Sequence, residues 1–481
     1  MKFSRSGGDV QISGPKDSRA MPELQKLDVM SELMVLTSFA NAKNIILMAA
    51  EARGPFDEQA FRSAVKKASD TFPALASTVK EIRVGARLFL FRDFPPGVEV
   101  PVTVVEVERS SGPEASFNSL VQHLIPRLDR NWDLWHEPPL EVHVLRFQPE
   151  HHLLGFMIHH SAADAAMALR VLSETLGRYD EIVSGRASGW LSLPYVFSTG
   201  RKKASKPGKV GLRHLASQLG RDFKYRKQQP AQPRGSGKAG DFTEWHVQRI
   251  LSAEDTLKIK EDLSSAGIRL VDHMVACSNF ALDEWNKDRG IPPGTITSVI
   301  TVNMRERFGG EQEKNYSSTI FFRSTPEARK DASNFARSLA DARQKQFKRQ
   351  TDLMVRRSIA MGRAFFTLFP FPIRRWVASY FLRNQKYSVA VGYLGVVWPE
   401  PKDGRPGEDS FLQNAGELEI IDVHGTGYKL AGQALINLYA YIHRRRLHLV
   451  LTVPGWLLAK DEAEAFIELL VKTVNDVRYP F

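Results

Sequence analysis

The sequence predicts an α/β protein of two lobes, each a largely mixed sheet with helices on one side. Three observations carry that prediction. Short apolar, β-branched runs and helical segments occur in both halves of the 481-residue chain, without a strict strand–helix alternation. A basic stretch rich in Gly, Pro, Ser and Gln, residues 198–240, separates the halves and holds too little apolar material to form a core. The composition, 43% hydrophobic and 25% charged, supplies enough apolar residues for sizeable cores.

In chain order, residues 1–20 are polar and Gly/Ser-rich and read as a flexible tail. The first lobe is expected over 21–197. "NAKNIILMAAEARG" holds an apolar run consistent with a strand, and "PFDEQAFRSAVKKASDTFPAL" reads as a helix. There Asp57 is placed to cap, Phe61, Ala64, Val65 and Ala68 recur at helical spacing, and Pro73 follows the end. "RLFLFRDF", "VTVVEVE", "LEVHVLRF" and "HLLGFMIHH" are strands by their β-branched and aromatic content, and "ADAAMALRVLSETLGRYDEIVSG" is a helix. A short helix around Leu212 to Phe223 interrupts the 198–240 linker. The second lobe, 241–481, offers strands "WHVQRIL", "TSVITVNMR", "ELEIIDVHG" and "LHLVLTV", and helices "AEDTLKIKEDLSSAG", "LVDHMVACSNFALDEWNK" and "EAEAFIELLVKTVNDV".

One cysteine, Cys277, rules out an internal disulfide framework and suits a reducing compartment. The N-terminus has no apolar core of a secretory signal, and no run of about 18 apolar residues occurs, so a cytoplasmic protein is expected. Net charge is +12, which favours polyanionic partners. Nucleic acid is discounted, because the basic residues gather in a linker and no binding module is present.

"LLGFMIHHSAADAAMALRVLSETL", Leu153 to Leu176, puts two histidines and an aspartate where a strand gives way to a helix, a position from which side chains commonly face a cleft. A buried histidine bonded to backbone accounts for His159. His160 is the candidate general base, since a neutral imidazole near pH 7 suits proton removal from a hydroxyl or amine. Asp164, four residues on, orders the loop through an ion pair or caps the helix. A metal is discounted, because His151 and His152 lie a whole strand away. A serine hydrolase is discounted too, because Ser161 lies in no nucleophile elbow.

At these residues the chain resembles the condensation-domain superfamily, whose HHxxxDG signature "HHSAAD" approximates. That superfamily holds peptide-synthetase condensation domains, chloramphenicol acetyltransferase-like enzymes, wax ester synthases and polyketide-associated acyltransferases. "ARGPFDEQAFRSAVKKASDTFPAL" resembles its opening strand–helix block, "GIRLVDHMVACSNFALDEWN" the first helix of its second lobe, and "ITVNMRERFGG" with "NYSST" its N-x-R strand and G-N turn. "VAVGYLGVV" is similar to the strand that crosses between lobes, and "LTVPGWLLAKDEAEAFIELLVKTV" to the closing strand and helix. The likeness runs from about Asp28 to Val477.

The resemblance implies two chloramphenicol-acetyltransferase-like lobes in a V, helices outside, with a tunnel between them and His160 midway as the catalytic base. His159 and Asp164 would support the motif, and Ala165, Asn303 and Gly395 would line the tunnel. Two departures stand out. Ala165 replaces the family's glycine, and Ala76 stands where condensation domains place an arginine that pairs with the aspartate. Arg305 is the candidate replacement partner.

The implied function is acyl transfer from a thioester, acyl-CoA or an acyl carrier protein, to a hydroxyl acceptor. The thioester is a substrate, and no permanently bound cofactor or metal is implied. The alternatives are amide-forming condensation of carrier-bound substrates and a non-catalytic member that binds carrier proteins or membranes. The aromatic, arginine-bearing stretch "RAFFTLFPFPIRRWVASYFLRNQKY", residues 363–387, reads either as a packed helix and loop near the tunnel mouth or as an interfacial segment for peripheral membrane contact.

Overall fold

The computed structural model describes residues 3–6, 9–12, 24–38, 42–108, 115–148, 150–192, 229–305, 315–383, 386–398, 414–428 and 433–479. Strands β1 (Phe3–Ser6) and β2 (Asp9–Ile12) pair antiparallel within the expected tail. After β3 (Gln25–Lys26), Asp28 caps α1 (Val29–Thr37) by accepting from Met30 N. Strand β4 (Ile45–Arg53) is buried from Ile45 to Ala52, which is why it reads as a continuous apolar run rather than an alternation. Helix α2 (Glu58–Thr71) is capped by Asp57, and Phe61, Ala64, Val65 and Ala68 form its buried face, as its spacing predicts. A hairpin of β5 (Thr78–Val84) and β6 (Arg87–Asp93) joins β3 in a small sheet. Then come β7 (Val102–Glu106), α3 (Ala115–Leu128), β8 (Leu140–Gln148), β9 (His151–His159) and α4 (Ala165–Ser184).

The second half supplies β10 (Glu244–Ile250), α5 (Ala253–Ser265), α6 (Leu270–Lys287), β11 (Ile296–Asn303) and β12 (Ser317–Ser324). Helices α7 (Ala332–Lys348), α8 (Thr351–Phe366) and α9 (Phe371–Arg383) follow, then β13 (Lys386–Val396), β14 (Asn414–Ala415), β15 (Leu418–Tyr428), β16 (Gln433–His443), β17 (Arg446–Pro454) and α10 (Lys460–Asp476). The two large sheets run β14-β15-β4-β9-β8-β7 and β10-β17-β16-β13-β11-β12, each with its own buried cluster. Both are mixed: β7 and β8 are parallel in the first, and β13 runs parallel to β11 and β16 in the second.

One expectation is corrected. The second lobe does not hold the whole of 241–481, because β15 leaves it and pairs antiparallel with β4 along Glu419–Tyr428. Strand β4 would otherwise be a sheet edge, so the second half closes the first half's sheet. The 198–240 linker, expected to be partly mobile, has one fastened end. Its described part, 229–240, is strapped to the second lobe: Arg234 N donates to Asn286 Oδ1 at 2.9 Å, Trp285 Nε1 to the Arg234 carbonyl at 2.9 Å, and Ser236 N to Glu462 Oε2 at 2.8 Å. Gly237 permits this approach, since a Cβ there would meet the Trp456 carbonyl carbon at 2.5 Å. The helix expected around Leu212–Phe223 lies outside the described residues.

A buried polar cluster stitches the two sheets together. Glu51 of β4 holds His151 at 2.7 Å and His424 of β15 at 3.2 Å, and His424 reaches Gln248 of β10 at 3.1 Å. Beside them Asp422 faces His448 at 3.6 Å, His443 at 4.0 Å and Arg446 at 3.0 Å. Burial holds His443 down to about 4 and His448 to about 3, against the pull of Asp422. Burial pushes the Glu51 carboxyl up, but hydrogen bonds from His151 and His424 outweigh it and hold it well below the carboxylate range. An unfolded histidine takes its proton near pH 6.5. Stability from the two neutral rings is therefore present above that pH and is lost as pH falls through 6.5 toward 4. The expected loss between pH 7 and 5 is up to about 4 kcal/mol for the pair, at ~1.4 kcal/mol per unit per ring. Urea unfolding at the two pH values checks this; equal stability at both would refute it.

Candidate active site

The stretch "HHSAAD" is the turn between β9 and α4. Strand alternation ends at His159, the last residue of β9, whose side chain is fully buried. Ser161 N donates to its Nδ1 at 3.1 Å, so the neutral ring carries its proton on Nε2, which reaches Ser38 Oγ at 2.7 Å. The serine passes that bond on to the Met34 carbonyl. Burial, with the neighbouring His160 and Arg92 adding to it, pushes His159 down to about 3. His159 is thus a neutral strut, and Ser161, whose Oγ is 2.7 Å from the same ring, is occupied in holding it.

His160 leaves the strand and is half-buried at the junction of the lobes. Its main-chain N–H donates to the Asn44 carbonyl at 2.6 Å. From the other lobe, Asn315 Nδ2 donates to the His160 carbonyl at 3.0 Å and stands 3.0 Å from its Nδ1. The amide orientation of Asn315 is fixed because its Oδ1 accepts from Ser317 N at 3.0 Å. Burial lowers the pKa of His160, opposed by Asp164 and by ring hydrogen bonds to the carbonyls of His160 and Ala163. The ring is neutral at pH 7, with acceptors beside it that favour the proton once it arrives.

Asp164 does two jobs. Its Oδ1 accepts from Met167 N at 3.0 Å and caps α4, while Oδ2 accepts from Arg305 Nη1 at 2.8 Å and Tyr316 N at 2.9 Å. Both last donors come from the second lobe, after β11 and before β12. The Asp164 and Arg305 side chains are 7% and 4% exposed, so this is a buried inter-lobe ion pair. Arg305 is thus the residue that pairs with Asp164. Asn303 supports it, accepting from Arg305 N at 3.0 Å, so its side chain is engaged in the clamp. Ala165 is the first residue of α4 and has a negative φ, so its methyl causes no backbone strain. Gly395 lies on β13 at a register shift, with φ +83°, and no described hydrogen bond joins it to the group around His160.

Four supporting residues have no local signal in the sequence. Ser38 and Asn44 brace the motif from the start of the first lobe. Arg92 of β6 donates to the Ser161 carbonyl and reaches Ala74 and Ser77 near the expected arginine position. Arg356 of α8 donates to the Asn315 carbonyl at 2.8 Å. Asn315 itself lay in a quoted segment, "NYSST", but its contact with the histidine spans 155 residues of chain.

No protein-family model matches the chain, and a search of curated protein sequences finds no match. Solved structures do match. The TRI3 trichothecene 15-O-acetyltransferase from Fusarium sporotrichioides superposes with a TM-score of 0.66 at 11% identity, covering 97% of this chain and 98% of that one. The first condensation domain of the calcium-dependent antibiotic synthetase gives 0.63 at 11% identity, covering 95% and 96%. The starter condensation domain of rhizomide synthetase, in a complex with C8-CoA, gives 0.58 at 13% identity, covering 95% of each chain. The chain has the two-lobed fold that these condensation domains and this acetyltransferase share.

Proposed function

We propose that the protein is an acyltransferase that moves an acyl group from a thioester, acyl-CoA or acyl carrier protein, to a hydroxyl acceptor, with His160 as general base. The observation that carries this reading is a neutral imidazole at the lobe junction, held from the second lobe by Asn315 and followed by the Asp164–Arg305 clamp. The neutral ring has one unprotonated nitrogen, whose lone pair is available for the acceptor's proton. That nitrogen takes the hydroxyl proton as the oxygen attacks the thioester carbonyl. The tetrahedral intermediate then collapses, the C–S bond breaks, and the leaving thiolate takes the proton back from the imidazolium, giving ester and free thiol. The two lobes hold donor and acceptor together, which lowers the entropic cost of the encounter.

Support for a thioester donor is the C8-CoA complex of the rhizomide synthetase domain, and support for an oxygen acceptor is the O-acetyltransferase of the same fold. The test is free-thiol release from a panel of acyl-CoA and acyl-carrier-protein donors, with alcohols and amines offered in turn. Release that requires an alcohol supports the reading; release only with amines moves it to amide condensation, and no release with any pair removes it. Because burial lowers the pKa of His160, kcat/KM should be flat above about pH 6.5 and fall on the acid side, where the ring is protonated. A profile still rising above neutrality would identify a different base.

A further inference from the structure

We infer that the α8–α9 face docks on an anionic lipid surface, with α9 lying in the plane of the interface. Between residues 356 and 380 every described side chain that is exposed is apolar: Met361, Leu368, Ile373, Trp376 and Tyr380, with two prolines and an alanine. Those five are among eleven exposed large hydrophobic side chains in all the described residues, so nearly half of them fall within twenty residues of chain. On α9, Ile373, Trp376 and Tyr380 follow helical spacing and share one face, where Trp376 is 68% exposed and stacks on Tyr380 at 6.0 Å. The opposite face is anchored: Arg374 is buried and donates to Glu32 at 3.0 Å and to Glu81, while Arg363 meets Glu32 at 2.6 Å. The apolar face therefore points outward on a helix that is fixed in place, an arrangement that a solvated helix avoids.

Charge selects the occupant. From 353 to 399 the chain has no acidic residue; Arg363 and Arg374 are spent on Glu32 and Glu81 and Arg356 stands 3.6 Å from Asp28, and the segment also carries the half-buried Arg357 and Arg375. A second copy would bring this carboxylate-free segment no opposite charge, whereas anionic headgroups match Arg357 and Arg375, and Trp, Tyr and Arg are the side chains that settle at a headgroup boundary. No helix among the described residues is long and apolar enough to cross a membrane, and α9, at 13 residues, is too short to span one.

The full-length protein should co-sediment with vesicles of phosphatidylcholine mixed with phosphatidylglycerol, bind pure phosphatidylcholine more weakly, and lose affinity as salt is raised. Trp376→Ser with Tyr380→Ser should lower binding to the anionic vesicles at least about tenfold. Both side chains are exposed, so thermal unfolding of the variant should match the parent, and Trp376→Phe with Tyr380→Phe should keep binding. Parent protein that stays in the supernatant overturns the inference. So does a folded serine variant that binds as the parent does, or a parent that self-associates through this face and ignores vesicles.

Discussion

Replacing His160 with alanine should lower acceptor-dependent thiol release by about a hundred- to ten-thousand-fold, the contribution of a positioned general base, and should leave the fold in place. The stability half of this expectation rests on what the ring touches. The main-chain bonds of His160, from its N–H to Asn44 and to its carbonyl from Asn315, survive truncation. The ring itself is half-buried, and Asn315 contacts its Nδ1 edge. His159 makes the contrasting case. His159→Ala would empty a fully buried site and strand Ser38 and Ser161 without their shared partner, at a cost of about 2–5 kcal/mol for a large-to-small change with unmet polar groups. Urea unfolding and turnover measured on both variants separate the roles. His160→Ala should be folded and inactive, and His159→Ala should be destabilised. A folded His160→Ala that turns over within a few-fold of the parent would sink the general-base assignment and point to a different base.

The strand–turn–helix around these histidines was legible because its cues are local. An apolar run ends at His159, Asp164 is a capping residue, and an alanine- and leucine-rich helix follows. The Asp164–Arg305 pair was legible only through the resemblance, which pointed to an arginine after an N-x-R strand once Ala76 was seen to leave a gap. Asn315, Arg92 and Arg356 were not legible as site residues, since nothing in their neighbourhoods marks them and their partners lie far along the chain. The same holds for β15. "ELEIIDVHG" is plainly a strand, but which sheet it joins depends on the open edge of β4 more than 360 residues earlier, as the pairing of Glu419 with Arg53 shows. Local sequence sets element type, whereas long-range pairing sets the neighbours that assemble the site. The aromatic stretch 363–387 suits both a packed and an interfacial reading, because α9 buries one face and exposes the other.

Arg305→Met should destabilise the fold by about 3–5 kcal/mol, because it strands the Asp164 carboxylate in a buried position. Met167 N and Tyr316 N would still donate to that carboxylate, which offsets part of the loss and argues for the lower end of the range. Asp164→Asn should fail differently. Asparagine caps a helix about as well as aspartate, so α4 keeps its start, but a buried guanidinium then faces a neutral amide. Combining Asp164→Asn with Arg305→Met removes both charges, and the double variant should regain at least about 2 kcal/mol relative to the sum of the singles. Urea unfolding of all four proteins gives the coupling energy directly. A large coupling means that the aspartate and arginine act as one inter-lobe clamp, and that a loss of turnover in either single variant comes with a loosened junction around His160. Additive effects would mean that the lobes are registered by backbone contacts, Tyr316 to Asp164 and Asn315 to His160, and that Arg305 only neutralises a charge that those contacts have already placed.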